Sequence, residues 1–416
     1  MNLLKSLSIY TLSSLISRAV PFFMLPIMTS YLSPEQYGVI AVVMVLVTLI
    51  SSPLFFGITA YINIEYYHLD ESSHKKLVST LLLIPFLLLV PASLIFYFYQ
   101  YLEFSTWSIP HFWFISIPLV AVMTFFYRIV TVLFRVKEQA NYFGLFEIIY
   151  SLLQVGLAII FVVALSEGLE GRLWSIFIAN MLINIVAFFI LFKQGYITAG
   201  FDKTLIKGCL KYGAGLIPHE LSGQLIRMVD RLFIIAILGA SAAGLYAVAA
   251  QVASIALVVI SVFNLAWQPY VFKCLTNGGP FMKEHLVKLS RLVLLGFTVF
   301  FIFLNFAVPY IYQYFIAQAY QSSIDYVFWL LLGFFFLAIY TLFCDYIFFV
   351  KKTYLLSITT SCNLLLTILL NYIFVTKYGA IGSAYAFACA SFFACLLVIT
   401  ISTNVYKMPW LKIHNA

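Results

Sequence analysis

The chain has 416 residues, of which 64% are apolar and only 9% are charged, and its formal net charge is +8. A soluble protein of this length covers its surface with far more charge, so the composition excludes a soluble fold. The basic residues are dispersed between apolar stretches, and no nucleic-acid partner is expected.

In chain order, the sequence breaks into twelve apolar stretches long enough to cross a membrane, since a span needs roughly 20 apolar residues. The first is too long for the apolar region of a signal peptide, so we interpret it as a span. The six cysteines are scattered, and neither disulfides, a metal site nor a cofactor is expected. The predicted fold is an all-α polytopic membrane protein of about twelve helices, at 7–32, 36–61, 77–101, 109–134, 143–165, 172–192, 212–238, 242–272, 291–316, 324–350, 354–376 and 380–405.

Basic residues between the spans predict the orientation of the chain. With the N-terminus inside, the opposite side holds only Arg172 and Lys377. Lys and Arg are retained on the cytoplasmic side, so both termini are expected to be cytoplasmic in a bacterial inner membrane. The predicted cytoplasmic set is Lys5, Lys75, Lys76, Arg135, Lys137, Lys193, Lys203, Lys207, Lys211, Lys273, Lys283, Lys288, Arg291, Lys351, Lys352, Lys407 and Lys412.

The two halves of the chain resemble each other. Leu32-Ser-Pro-Glu-Gln-Tyr-Gly38 after the first span aligns without gaps to Leu238-Gly-Ala-Ser-Ala-Ala-Gly244 after the seventh. Gly168-x-x-Gly171 after span five likewise corresponds to Gly379-x-x-Gly382 after span eleven. A parallel repeat of six spans follows, with expected lobes at 1–200 and 201–416 around a central cavity.

Three stretches resemble the polysaccharide transporters, the Wzx-type O-antigen flippases. They cover the N-terminal signature, the seventh and eighth helices, and the junction of the eleventh and twelfth helices. The stretches are Leu25-Pro-Ile-Met-Thr-Ser-Tyr-Leu-Ser-Pro-Glu-Gln-Tyr-Gly38; Met228-Val-Asp-Arg-Leu-Phe-Ile with Gly244-Leu-Tyr-Ala-Val-Ala249 and Ala266-Trp-Gln-Pro269; and Asn371-Tyr-Ile-Phe with Tyr378-Gly-Ala-Ile-Gly-Ser-Ala384.

The resemblance implies the MATE-like fold of the multidrug/oligosaccharidyl-lipid/polysaccharide (MOP) exporter superfamily. It also implies a substrate: an undecaprenyl-pyrophosphate-linked oligosaccharide, such as an O-antigen repeat unit of lipopolysaccharide, flipped from the inner to the outer leaflet. The implied partners are this glycan and membrane lipids, with other polysaccharide-assembly membrane proteins as a further candidate.

Four arginines, among them Arg18, fall within predicted spans, where each costs roughly 2.5–3.5 kcal/mol on insertion scales. Guanidinium suits a pyrophosphate because it is permanently charged and bonds in a bidentate manner. Arg18 precedes Pro21 and Pro26, which are expected to kink the helix and expose its backbone toward a cavity. We expect Arg18 to bind substrate; a structural pair with an acidic neighbour is the alternative.

The seventh span is the most polar. Glu220, Gln224, Arg227 and Arg231 recur at i, i+4, i+7 and i+11, which places them on one helical face. We expect Gln224, Arg227 and Arg231 to bind the pyrophosphate. Asp230 is predicted to pair with Arg227, which could serve gating or only fix the helix. Glu220 has no obvious partner in its helix beyond the adjacent histidine and is a candidate for proton or cation coupling.

Arg128 and Asp345 lie toward the cytoplasmic ends of spans four and ten, seven residues before Arg135 and Lys352 respectively. These equivalent positions make ion coupling or an interlobe gate a candidate role. Snorkelling to the membrane interface is the favoured explanation for each side chain.

Three functions were compared. A membrane enzyme usually needs a large external loop or a catalytic acidic pair, and here the external loops are short, so an enzyme is not expected. A MATE-like cation-coupled drug or small-molecule exporter shares the fold. The flippase is favoured because a cationic cavity attracts an anionic headgroup and repels a cationic drug.

Overall fold

The computed structural model describes residues 3–100, 107–198, 202–277 and 279–410, and all regular structure in these ranges is helical. A π-helical segment, Ile159–Ala164, extends α8, and a 3₁₀ turn, Gln318–Ser323, precedes α13. The α-helices are α1 (Leu3–Tyr31), α2 (Pro34–Phe55), α3 (Ile58–Glu65), α4 (Glu71–Leu81), α5 (Ile84–Tyr99), α6 (His111–Val122), α7 (Phe125–Val136), α8 (Ala140–Ala158), α9 (Gly168–Lys193), α10 (Lys203–Leu238), α11 (Ala240–Asn277), α12 (Pro280–Phe315), α13 (Ile324–Phe349), α14 (Thr353–Tyr378) and α15 (Ala380–Val405).

The predicted all-α polytopic fold is confirmed. Among the described residues, ten helical stretches are long and apolar enough to cross a membrane. The α4–α5 and α6–α7 pairs each form one such stretch. The other two predicted spans correspond to α1 and α10, and α10 carries the charged residues already identified on the seventh span. A total of twelve spans is compatible with this result.

The second span ends earlier than predicted, at Phe55 instead of near residue 61. Phe56 and Gly57 both adopt left-handed backbone conformations, with φ of 47° and 69°, so α3 starts as a separate helix. A Cβ atom on Gly213 would lie 2.1 Å from the Phe56 carbonyl oxygen. The glycine therefore allows α10 to pack directly on the break after α2.

The chain forms two compact units, Met1–Gly244 and Leu245–Ala416. In the first unit α1 packs on α8, α9 packs on α2 and α8, and α10 packs on α2, α3 and α4. In the second unit α13 and α14 both pack on α15. The predicted lobe boundary near residue 200 stays a prediction.

The first pair of repeated glycines is in direct contact inside the first unit. A Cβ atom on Gly38 would lie 1.9 Å from Ala240 O, and one on Gly244 would lie 1.8 Å from Pro34 O. With an offset of 206 residues, Pro34 corresponds to Ala240 and Gly38 to Gly244. The contact is thus reciprocal, as a pseudo-two-fold relation between repeated segments requires.

The second pair of repeated glycine motifs lies at a helix junction in each unit, although the connection is longer before α9 than before α15. Gly168 and Gly379 adopt left-handed φ values of 56° and 73°. Cβ atoms on Gly171 and Gly382 would lie 2.7 Å and 2.0 Å from the carbonyl oxygens of Phe161 and Phe374. In both motifs the first glycine turns the chain, and the second lets the next helix start against the backbone of the helix before it.

The segment before α10 is fixed to α4. Ser79 Oγ donates to Thr198 O at 2.7 Å and accepts from Thr198 N at 3.0 Å. Lys76 Nζ forms an ion pair with Asp202 Oδ2 at 2.9 Å. Hydrogen bonds from Thr204 and Lys76 hold the pKa of the Asp202 carboxyl well below its usual range. These contacts position the N-terminus of the polar helix α10.

Candidate functional site

The polar face of α10 meets α2 at Glu220. Ser52 Oγ on α2 donates a hydrogen bond to Glu220 Oε2 at 3.0 Å. This contact follows from the close approach of α10 to the end of α2. Glu220 thus has a partner in another helix, which the sequence alone did not indicate.

Arg128 on α7 belongs to the same cluster. Its guanidinium lies 5.0 Å from the centre of the Phe55 ring and within electrostatic range of Glu220 and Tyr150. These three neighbours come from α2, α10 and α8. The Arg128 side chain is exposed, so its predicted gating role and its snorkelling to the interface both stay predictions.

The predicted ion pair between Asp230 and Arg227 is wrong. Asp230 Oδ1 lies 3.5 Å from Arg231 Nη1 and accepts a hydrogen bond from the Arg231 backbone N–H at 2.7 Å. Arg231 Nη1 also donates to Arg227 O at 3.2 Å, so its guanidinium folds back along its own helix. This conformation places the Arg231 guanidinium beside the Asp230 carboxylate, so Asp230 is not the ion-pair partner of Arg227.

Arg227 is exposed and makes no ion pair within the part of the chain that the structure describes. One turn earlier, Gln224 Oε1 is buried and has no hydrogen-bond partner among the described residues. An unpaired cation and an unsatisfied amide oxygen are both costly in a membrane-spanning helix. Their recurrence on one face indicates a surface built for a polar ligand or for water.

Arg172 is a candidate residue that the sequence interpretation missed. It was assigned to the outer edge of the sixth span, but α9 begins at Gly168 and places Arg172 one turn inside the helix. Its Nη1 donates to Ser175 Oγ at 3.2 Å, and its guanidinium lies within electrostatic range of Tyr37 and Tyr150. Recognising that the repeated glycine motif starts a helix would have placed Arg172 one turn inside that helix.

A hydrogen-bond network lies between Arg128 and Arg172. Tyr150 Oη donates to Asn180 Oδ1 at 2.7 Å and accepts from Gln154 Nε2 at 3.0 Å. Tyr150 lies within electrostatic range of both arginines. The polar groups of the first unit therefore form a continuous series along α8, α9 and α10.

Arg18 lies in α1, and its side chain falls outside the described part of the structure. Its expected role in substrate binding stays a prediction. The helix that carries it packs on α8, which also carries Tyr150.

Asp345 occupies a different environment in the second unit. It is only 1% exposed, so the prediction that it snorkels to the interface is wrong. Gln268 Nε2 on α11 donates to Asp345 Oδ1 at 3.0 Å, and Asp345 Oδ2 has no partner among the described residues. The tight packing of α13 on α15 buries this carboxylate before it can reach the helix end.

No group of three or more His, Cys, Asp and Glu side chains within the described ranges is arranged to hold a metal ion. The second unit has an apolar groove between α12 and α13. It is lined by Thr298, Phe301, Ile302, Asn305, Phe306, Phe328, Leu331, Leu332 and Phe335.

Comparison with known proteins gives a family match. A family model described as polysaccharide biosynthesis protein matches residues 3–275. An uncharacterized membrane protein of Haemophilus influenzae is 24% identical over 289 residues, which cover 68% of this chain and 69% of that protein.

Solved structures give the fold. The lipid II flippase MurJ in an inward closed conformation has a TM-score of 0.74 at 16% identity, covering 94% of this chain and 87% of MurJ. An inward-facing multidrug resistance MATE family transporter of the MOP superfamily has a TM-score of 0.72 at 14% identity, covering 93% and 94%. At these identities the similarity establishes the fold and does not identify a substrate.

Proposed function

The chain belongs to the polysaccharide biosynthesis protein family, and from this membership we propose that it flips an undecaprenyl-pyrophosphate-linked oligosaccharide across the bacterial inner membrane by alternating access. It is a multi-pass membrane transporter with the fold of MATE transporters and MurJ, and not an enzyme. In the proposed orientation both termini are cytoplasmic, and the cargo moves from the inner to the outer leaflet.

The observation that carries this proposal is the unbalanced positive charge of the first unit. Arg128, Arg172, Arg227 and Arg231 lie in its helices, and of these only Arg231 forms an ion pair among the described residues. A guanidinium group without a carboxylate partner, as for Arg172 and Arg227, is costly within a membrane. A diphosphate headgroup would offset that cost with bidentate, charge-assisted hydrogen bonds.

The substrate itself sets the physical requirement. A polyprenyl tail can remain in lipid, but a diphosphate and its sugars cannot cross hydrocarbon without polar contacts. In the proposal, Arg18, Gln224, Arg227 and Arg231 bind the headgroup. The unsatisfied Gln224 oxygen would accept a hydrogen bond from a sugar hydroxyl or from water.

Glu220 and Arg128 are proposed to couple or gate transport. Glu220 lies where it would compensate the charge of Arg128 while the headgroup is absent. An anion bound at Arg128 would compete with Glu220 for the guanidinium. Protonation or cation binding at Glu220 would remove that competition, and Asp230 would act in the same way on Arg231.

The test is genetic. Deletion of the gene should leave undecaprenyl-linked glycan on the inner leaflet and remove long-chain surface polysaccharide. An intact surface polymer with altered drug sensitivity would instead favour the exporter.

Two charge variants test the role of the arginines. Arg18→Ala and Arg231→Ala should abolish complementation while the protein still inserts, as measured by its amount in the membrane fraction. Arg135→Ala is the matched control, because Arg135 is an exposed arginine at the end of α7 and is expected to serve only topology. Full complementation by both Arg18→Ala and Arg231→Ala would exclude these residues as the diphosphate clamp.

A further inference from the structure

Three helix ends meet at one end of the first unit. A Cβ atom on Gly168 at the start of α9 would lie 2.9 Å from Gln36 Nε2 near the start of α2. The backbone of Gly38 touches that of Ala240, just after the end of α10. The first turns of α2 and α9 and the end of α10 therefore lie side by side.

Two arginines and a tyrosine lie at this junction. Tyr37 is three residues from the start of α2, Arg172 is four residues from the start of α9, and Arg231 is seven residues from the end of α10. At a rise of about 1.5 Å per residue, all three lie within roughly 11 Å of the same end of the unit. The Tyr37 hydroxyl is within electrostatic range of both guanidinium groups.

Only one of the two arginines at this junction forms an ion pair among the described residues. Asp230 pairs with Arg231, and their side chains are 13% and 19% exposed, respectively. No carboxylate of the described residues forms an ion pair with Arg172. Glu170, which is close in sequence, accepts a hydrogen bond from Trp113 Nε1 instead. The N-terminal end of α9 adds further positive potential at Arg172, where a cation is unfavourable.

We propose that Arg231, already one of the proposed headgroup ligands, also forms a second binding site for a diphosphate group with Arg172 and Tyr37, at the opposite end of the first unit from Arg128. The two arginines bind phosphate oxygens, and the Tyr37 hydroxyl donates a further hydrogen bond to the same anion. This inference rests on the proposed function and adds Arg172 and Tyr37 to the residues that contact substrate.

The separation of the two sites fits movement of a headgroup between leaflets. Ser52, in the cluster with Arg128 and Glu220, is 15 residues from Tyr37 along α2, or about 22 Å. Glu220 and Arg231 are 11 residues apart along α10, or about 16 Å. A bilayer core is about 30 Å thick, so these separations exceed half of its thickness. In the proposed orientation, the Arg172 site lies on the outer side and holds the headgroup before release.

Binding by the purified full-length protein in nanodiscs tests the site. Undecaprenyl pyrophosphate is the probe, and phosphatidylglycerol at equal concentration is the comparison lipid, with both measured by native mass spectrometry. Arg172→Gln should weaken binding of undecaprenyl pyrophosphate roughly 10- to 100-fold, because it removes charged hydrogen bonds. Arg172→Lys should lose less, since it keeps the charge but not the bidentate geometry.

Lys377→Gln is the matched control, because Lys377 is the other basic residue predicted on this side of the membrane. It should bind as the wild type does. Thermal unfolding and size-exclusion profiles of each variant show whether lost binding reflects lost folding.

The outcomes separate this inference from the proposed function. Wild-type binding that Arg172→Gln leaves unchanged overturns the second site and leaves the flippase proposal intact. An equal loss for phosphatidylglycerol also overturns it, since the site would then recognise any lipid phosphate. Failure of the wild type to bind undecaprenyl pyrophosphate overturns the proposed function and the inference together.

Discussion

The two units share paired glycines at a helix junction but differ in the charge of their helices. Gly168 and Gly379 both have a positive φ, and Gly171 and Gly382 both lie against the backbone of the preceding helix. Among the described residues, the helices of the first unit carry several arginines facing polar neighbours. The second unit instead has one deeply buried carboxylate, Asp345, and an apolar groove between α12 and α13.

This difference distinguishes residues that both repeats need for packing from residues that can differ between them. Glycines are needed wherever two backbones touch, because any side chain there would collide. The charged residues are free to diverge, since each depends only on the ligand or partner that it meets. The arginines within α7, α9 and α10 of the first unit therefore indicate function more directly than the shared glycines do.

The largest expected effects are on the shared turns. Gly382→Ala should destabilise the protein by about 3 kcal/mol or more, because its Cβ would lie 2.0 Å from the Phe374 carbonyl oxygen and backbone atoms cannot easily move. Gly171→Ala should cost less, since the corresponding distance in the first unit is 2.7 Å. Thermal unfolding in detergent, followed by size exclusion, gives both values.

Gly156→Ala on α8 is the control for this comparison. No atom lies within 4 Å of the position of its Cβ, so the substitution should be neutral or stabilise the helix by up to about 1 kcal/mol. If Gly382→Ala were tolerated as well as Gly156→Ala, the two turns would not share the tight packing described here.

Replacing one acidic residue by its amide should change the free energy of unfolding differently in the two units. Glu220→Gln should destabilise the first unit by about 1–2 kcal/mol, because Arg128 loses its nearby counter-charge, although its exposure limits the cost. Asp345→Asn should be within about 1 kcal/mol of the wild type or more stable. The amide oxygen can still accept from Gln268, and no charge is then buried.

The measurement is thermal unfolding of both variants in the same detergent, with the Arg128→Gln/Glu220→Gln double variant to isolate the coupling. Equal losses from Glu220→Gln and Asp345→Asn would contradict the proposed difference between the units. A double variant as unstable as the sum of its single changes would show that Arg128 and Glu220 do not interact.

Most of the fold could be predicted from the sequence, because apolar stretches of span length are a strong and local signal. The repeated glycines were also visible, since they recur at a nearly constant offset. The break after Phe55 was missed because Phe56 is an apolar residue in a left-handed conformation, which hydropathy does not detect.

The site was predicted less completely, for two physical reasons. Arg172 was taken as the edge of a span because hydropathy starts the sixth span there, whereas α9 begins four residues earlier, at Gly168. The Asp230 pair was assigned to Arg227 on helical spacing, whereas the Arg231 guanidinium folds back on its own helix. The contact between Ser52 and Glu220 joins helices that are 168 residues apart, a relation that spacing within one helix cannot give.

The hydrogen bond between Ser52 and Glu220 gives the smallest expected effect on stability, and it tests one contact between α2 and α10. Ser52→Ala removes one hydrogen bond to Glu220 and should cost about 0.5–1.5 kcal/mol in unfolding free energy. Ser51→Ala is the matched control on the next residue, because Ser51 Oγ only donates to Val47 O in its own helix. Ser51→Ala should leave the unfolding free energy within about 0.5 kcal/mol of the wild type. Equal losses from Ser52→Ala and Ser51→Ala would show that the hydrogen bond to Glu220 does not hold α10 against α2.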